Sequence, residues 1–196
     1  MKRFISLLLI FVTFSMCLFA EEDDYFDDDQ YYDDVYVYSQ NGAGDQFLKI
    51  NLGAIFPLNF HGQLKPGGKA TLGFYRFLTE NIAVGGEISA TYSVSIGEKI
   101  LVMIPITLGA MFQPYIGKFE FPIYTEIGMA NTTWQNMECF PSLVTKISAG
   151  AYYRITDTIS FGLSSEFLWI PQWFKDSSMN YNGLFQTAEI GLRYHF

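Results

Sequence analysis

Cysteine is almost missing from this chain. Cys17 and Cys139 are the two copies, and Cys17 lies in an N-terminal apolar run, so the body of the protein holds one thiol that cannot staple the fold internally. Histidine is as scarce: His61 and His195 nearly exclude a histidine-based metal site. Charged residues make up 16% of the chain, below the usual level of about a quarter. There is no basic surplus either. From Phe47 onward ten acids meet ten Lys/Arg, which argues against nucleic acid as a partner. Beyond residue 20 no long apolar run occurs, so no further helix is long enough to cross a bilayer. That absence does not make the chain soluble, because membrane strands alternate and their apolar signal averages out.

What is present begins with Lys2 and Arg3, an uncharged run from Phe4 to Phe19, then Ala20 and the acidic block Glu21-Glu22-Asp23-Asp24. A basic start, an apolar middle and a small residue before a polar stretch make a secretory signal peptide over residues 1–20. A spanning helix would need roughly 20 apolar residues, more than this run supplies. Lipidation at Cys17 is disfavoured, since Met16 stands where a small residue normally precedes the cysteine. Residues 21–46 form an acidic tail in which Tyr25, Phe26, Tyr31, Tyr32, Tyr36 and Tyr38 are interleaved with carboxylates. Half of the acids fall between Glu21 and Asp45, so the net charge of −8 belongs to the tail. Its composition reads as a disordered, solvated periplasmic segment. A weak cation- or partner-binding segment is the sharper alternative, and no calcium-loop spacing supports it.

Residues 47–196 carry a period of two. Leu48, Ile50, Leu52, Ala54 and Phe56 share one face, with Lys49, Asn51 and Gly53 on the other. The pattern returns from Ile82 to Tyr92, Ile100 to Phe112, Leu143 to Arg154, Phe161 to Trp169 and Thr187 to Phe196. Lys69–Phe77 and Phe119–Met129 alternate more weakly; in the first the pattern does not fix the register, with Arg76 suggesting that even positions face inward and Tyr75 and Phe77 suited to lipid near an interface. These eight segments mostly reach the 9–11 or so tilted residues that cross a hydrocarbon core. Connections alternate short and long. Leu78–Asn81, Gln113–Lys118 and Ile155–Thr158 are short, whereas Pro57–Gly68, Ser93–Lys99, Ala130–Pro141 and Ile170–Leu184 are mostly longer. That pattern fits periplasmic turns and extracellular loops, with both termini periplasmic and Cys139 in a loop spanning Asn131–Ser142. The fold class is all-β: an eight-stranded antiparallel transmembrane up-and-down β-barrel with an acidic N-terminal tail. A soluble sandwich or lipocalin-like barrel is the competing architecture, and the signal peptide, the aromatic strand ends and the C-terminus weigh against it.

The ending Glu189-Ile190-Gly191-Leu192-Arg193-Tyr194-His195-Phe196 resembles the C-terminal strand of bacterial outer-membrane proteins. Leu72–Phe77 running into Thr79–Val84, Ile104–Gly109 and Tyr152–Asp157 resemble the small OmpW-like and opacity-type barrels. The resemblance covers about Phe47 to Phe196 and leaves the acidic tail outside. It implies an outer-membrane location, contact with outer-membrane lipid, and an assembly signal at Phe196 and Tyr194 that the barrel assembly machinery reads. OmpW-like members imply passage of small hydrophobic molecules. Opacity-type members imply adhesion to host surface ligands, and OmpX-like ones the presentation of loops. Fold does not choose among these.

The polar face carries Lys49, Glu87, Glu126, Lys146, Arg154, Glu166, Glu189 and Arg193. One reading is an ion-selective lumen. The other is a neutralised, hydrogen-bonded core, which the balanced signs favour in an interior just wide enough for side chains. No cofactor, metal or catalytic constellation is expected. His61 with Ser93 or Ser95 and Glu98 only imitates the loop triad of lipid-modifying barrels, and no Asp-Ser pair or preceding amphipathic helix accompanies it. Pro105 interrupts the fourth strand. Proline cannot donate to a ladder and belongs at edges or bulges, and a closed barrel has no edge. Either a β-bulge bends the strand there, or the wall parts locally, as the OmpW-like resemblance implies for lateral release of apolar molecules. Phe56, Leu58, Phe60, Trp169, Ile170, Trp173 and Phe174 gather apolar surface near the outer rim, which suits an entry funnel or an adhesive patch.

Overall fold

The computed structural model describes residues 41–60, 63–134, 137–172 and 181–196. The expected signal sequence, most of the acidic tail, His61, Trp173 and Phe174 lie outside these residues. Ten strands follow in order: β1 (Gln46–Asn59), β2 (Gly67–Phe77), β3 (Ile82–Val94), β4 (Ile100–Phe112), β5 (Tyr115–Ile116), β6 (Phe119–Glu120), β7 (Ile123–Trp134), β8 (Met137–Arg154), β9 (Ile159–Gln172) and β10 (Tyr181–His195). Every pairing is antiparallel, β1 pairs with β10, and the β8–β9 ladder joins the remaining free edges. β6 and β7 act as one barrel strand. Phe119 opposes Tyr153 and Ile123 opposes Ala149 in a single register, with Phe121-Pro122 between the two pieces. The result is a closed eight-stranded barrel, with β5 as a short return onto β6.

The barrel is inside-out relative to a soluble one. Outward positions are aliphatic and aromatic, as with Leu163 at 62% and Ile127 at 58% exposed. Inward positions hold buried carboxylates, amines and guanidinium groups. Only a bilayer accommodates such an exterior, and closure satisfies the strand backbone there. The long strands range from 11 residues in β2 to 18 in β8, enough to span hydrocarbon with residues to spare.

Three expectations need correction. In β2 the odd positions face inward: Lys69, Thr71, Tyr75 and Phe77 are buried, while Leu72 and Phe74 face out. Arg76 misleads because it lies at the rim opposite Gln46, where a long cationic side chain reaches water from either face. The segment Asn131–Ser142 is a hairpin, not a loop. β7 runs on to Trp134, β8 starts at Met137, and Cys139 opposes Thr132 within the ladder. This connection is therefore one of the shortest, so short and long do not alternate strictly. Polar residues such as Asn131, Thr132 and Thr133 read as loop, yet a ladder continues past the hydrocarbon edge wherever backbone groups still find partners. Register shifts mark the same end, between Pro57 and Asn59 in β1 and between Ala130 and Thr132 in β7.

Candidate functional site

The lumen is filled in three layers. At the rim near the chain ends, Arg193 is fully buried. It donates to Tyr124 Oη at 2.5 Å and Gln113 Oε1 at 2.8 Å, and its guanidinium lies 3.6 Å from the centroid of the Tyr152 ring. Glu120 accepts from Arg193 and pairs with Arg154 Nε at 2.8 Å. Arg154 also donates to Asn41 Oδ1 at 2.7 Å and stands 3.0 Å from His195 Nδ1. Asn41 thus caps the mouth at this rim, beside a cleft of about 220 Å³ lined by Asp45, Arg154, Asp157 and His195.

The middle layer is a chain of alternating charges. Lys49 and Lys146 both bind Glu87. Lys146 also meets Glu126 at 2.9 Å and Glu166 at 3.6 Å. Lys69 bridges Glu166 at 2.5 Å and Glu189 at 2.9 Å, and Asn51 and Thr187 donate to Glu189. The Tyr75 hydroxyl reaches both Glu87 and Glu126, and its single proton serves one carboxylate at a time. Its ring lies over a bare backbone: a Cβ at Gly85 would sit 2.6 Å from Tyr75 Cδ1. Gly162 makes the same allowance for Tyr152.

All eight polar positions expected to face inward do so, and the layers bring them together. Lys69, Tyr75 and Glu120 join them without having been expected. Tyr124 and Pro122 on the inward face hid the alternation that would have marked Glu120. The buried ionic groups thus number five acids and five bases among the described residues. With opposite charges paired at these distances, the inner face is a neutral, interlocked core.

The third layer, at the far rim, is apolar. Ile55, Leu101, Met103, Val144, Leu168 and Ile170 are buried there with Ala130 and Phe185, and Phe60, Leu64 and Trp134 pack against them. This inward apolar layer was not legible, because apolar residues on both faces of a strand end erase the two-fold pattern. Ser93 and Ser95 are buried on the inward side of the same end, and Glu98 follows in an exposed turn.

Pro105 sits where the middle and far layers meet, facing inward, with Ala130 opposite it on β7. Gln113 N donates to Asn81 O at 2.7 Å. By the alternation of antiparallel strands, odd residues of β4 therefore direct their backbone groups at β3. Pro105 is one of them and has no N–H to give to Ser89. The β3–β4 ladder stops after Ile88↔Ile106 and resumes at Thr91↔Met103 with its register unchanged. The strand contains no bulge on this side; the wall simply lacks a donor there.

At the terminal rim, Phe196 exchanges backbone bonds with Gln46, at 2.9 and 3.1 Å. Its exposed ring lies 5.9 Å from Tyr194 and 6.3 Å from Phe74 between centroids, an outward aromatic group at the level where amphipathic rings favour a membrane surface.

A protein-family model matches residues 23–194, beginning within the acidic segment. An uncharacterized protein of Treponema pallidum (strain Nichols) is 26% identical over 180 residues, covering 83% of this chain and 82% of the relative. A second uncharacterized protein of that organism is 23% identical over 152 residues, covering 70% of this chain and about half, 52%, of its own length. Among solved structures, Neisserial surface protein A superposes with a TM-score of 0.63 at 9% identity, over 78% of this chain and 99% of that one. The outer membrane protein OprG from Pseudomonas aeruginosa gives 0.54 at 11% identity, over 80% and 98%. At such identities the likeness concerns the fold, that of small eight-stranded outer-membrane barrels.

Proposed function

We propose that this chain, which belongs to the family matched over residues 23–194 and has the fold of the small outer-membrane barrels, passes small hydrophobic molecules from its far rim into the surrounding bilayer. The far rim faces outward from the cell and both termini face the periplasm. One observation carries the reading: an apolar layer at the far rim ends on a neutralised charge layer, and at their junction the wall lacks a backbone bond at Pro105. A water-filled lumen would be polar along its length. Here an apolar molecule would meet a floor of paired Lys69, Glu166, Lys146 and Glu126, whose desolvated ions give it nothing to bind. The low-cost way on is sideways, beside Pro105, into lipid.

The test is Pro105→Val. Valine restores a donor to Ser89 O and adds about 1 kcal/mol of stability. Uptake of a small hydrophobic probe by liposomes carrying the variant should fall while its thermal midpoint rises. Unchanged uptake in correctly folded Pro105→Val protein would sink the route through this seam. It would favour the other reading of the same architecture, a surface protein that presents its far-rim connections to a host or neighbouring surface. Exposed Ile96 and Phe140 near that rim supply apolar contact area for that alternative.

A further inference from the structure

The far-rim layer contains features that an apolar plug does not need. Phe60 follows β1 beyond its register shift. Its ring is held edge-on by Trp134 at 5.4 Å and Tyr181 at 6.0 Å between centroids, and lies 5.6 Å from Phe185. Gly183 leaves the space beside it: a Cβ there would come within 3.4 Å of the Phe60 ring. The chain has thus built an aromatic box and filled it with one ring of its own. Edge-to-face geometry on two sides selects a flat aromatic guest over an alkyl chain.

At the same end of the barrel are two orphan hydroxyls. Ser93 and Thr132 are 2% and 0% exposed, and among the described residues neither Ser93 Oγ nor Thr132 Oγ1 has a partner. Cross-strand pairing sets them relative to Trp134. Ser93 opposes Leu101, which opposes Trp134, and Thr132 opposes Met103 one row further in. Thr91, in that same row, satisfies its own hydroxyl by donating to Met103 O. A buried unpaired hydroxyl is unfavourable, and two of them beside the buried apolar side chains of this end call for a hydrogen-bonding group from a guest.

We propose that this layer is a binding site for a small aromatic molecule carrying a single hydroxyl group, with Phe60 holding the ring position until the guest displaces it. The guest ring lies between Trp134, Tyr181 and Phe185. Its single oxygen exchanges a hydrogen bond with Ser93 or with Thr132. This names the substrate class and rests on the conduit reading above. Phe60 returns to the box when the guest leaves through the wall, so the far mouth is closed between passages.

The experiment uses full-length protein in nanodiscs with Trp169→Phe and Trp173→Phe, so that Trp134 is the fluorescent reporter. Bromine quenches tryptophan only at contact, which makes 4-bromophenol, bromobenzene and bromocyclohexane suitable probes. 4-Bromophenol should quench at a concentration about tenfold below bromobenzene, the worth of one hydrogen bond to a desolvated hydroxyl, and bromocyclohexane should quench least. Ser93→Ala with Thr132→Val should abolish the preference for the phenol. Phe60→Ala should let both aromatics quench at lower concentration, with Phe60→Leu between it and the parent. Equal quenching by 4-bromophenol and bromobenzene, or no response to either Phe60 variant, overturns the site. Liposome uptake of bromobenzene, run in parallel, separates the two failures. If uptake persists while the quenching pattern is lost, the site falls and the conduit stands; if uptake is absent as well, the conduit itself falls.

Discussion

Lys146 has carboxylates on three sides: Glu87, Glu126 at 2.9 Å and Glu166 at 3.6 Å. Removing its ammonium leaves Glu87 with Lys49, Glu166 with Lys69, and Glu126 with hydroxyl donors only, from Tyr75 and Thr107. Breaking a buried pair from one side costs about 3–5 kcal/mol. Lys146→Met should therefore lower the urea midpoint of liposome-inserted protein markedly. Adding Glu126→Gln should recover part of the loss, since it discharges the stranded carboxylate while Gln keeps an acceptor for Thr107. An unchanged midpoint in Lys146→Met would show that the charges are hydrated rather than interlocked. Pro105 is the opposite case, a residue whose replacement should stabilise the wall and impair passage at the same time.

At the scale of the strand, legibility followed how cleanly polar and apolar residues alternated. β10 was plain, because Glu189, Gly191 and Arg193 interleave with Ile190, Leu192 and Tyr194 without exception. β2 was not, because Tyr75 and Phe77 turn inward to pack with Phe47, and an inward aromatic looks the same in sequence as one facing lipid. Lys69 was lost with that register. Glu120 was hidden by Pro122 and Tyr124, and the far-rim layer by strand ends apolar on both faces. The seam at Pro105 was visible as a proline in a strand, but only the pairing shows a missing donor without a bulge. Phe196 closes β10 against Gln46 by two backbone bonds and otherwise presents its ring outward. Its deletion should leave detergent refolding of purified protein largely intact and, if Phe196 belongs to an assembly signal as the resemblance implies, lower insertion in cells. Equal loss in both assays would assign it to stability alone.

On the scale of the whole molecule, a barrel acting as the proposed conduit would separate two kinds of cargo. Water and ions would have to cross a lumen whose five buried acids and five buried bases among the described residues are tied to one another and to neighbouring hydroxyls, amides and rings. Loosening that layer means leaving ions unpaired in a dry interior, at several kcal/mol each. On the proposed route an apolar molecule would need only the far layer and one weak seam. The most direct measurement is made on one preparation of the full-length protein: ionic conductance across a planar bilayer, together with uptake of a small hydrophobic probe by liposomes at the same protein-to-lipid ratio. The account predicts no sustained ionic conductance alongside probe uptake above that of protein-free liposomes. Steady ohmic conductance with no gain in uptake would contradict it.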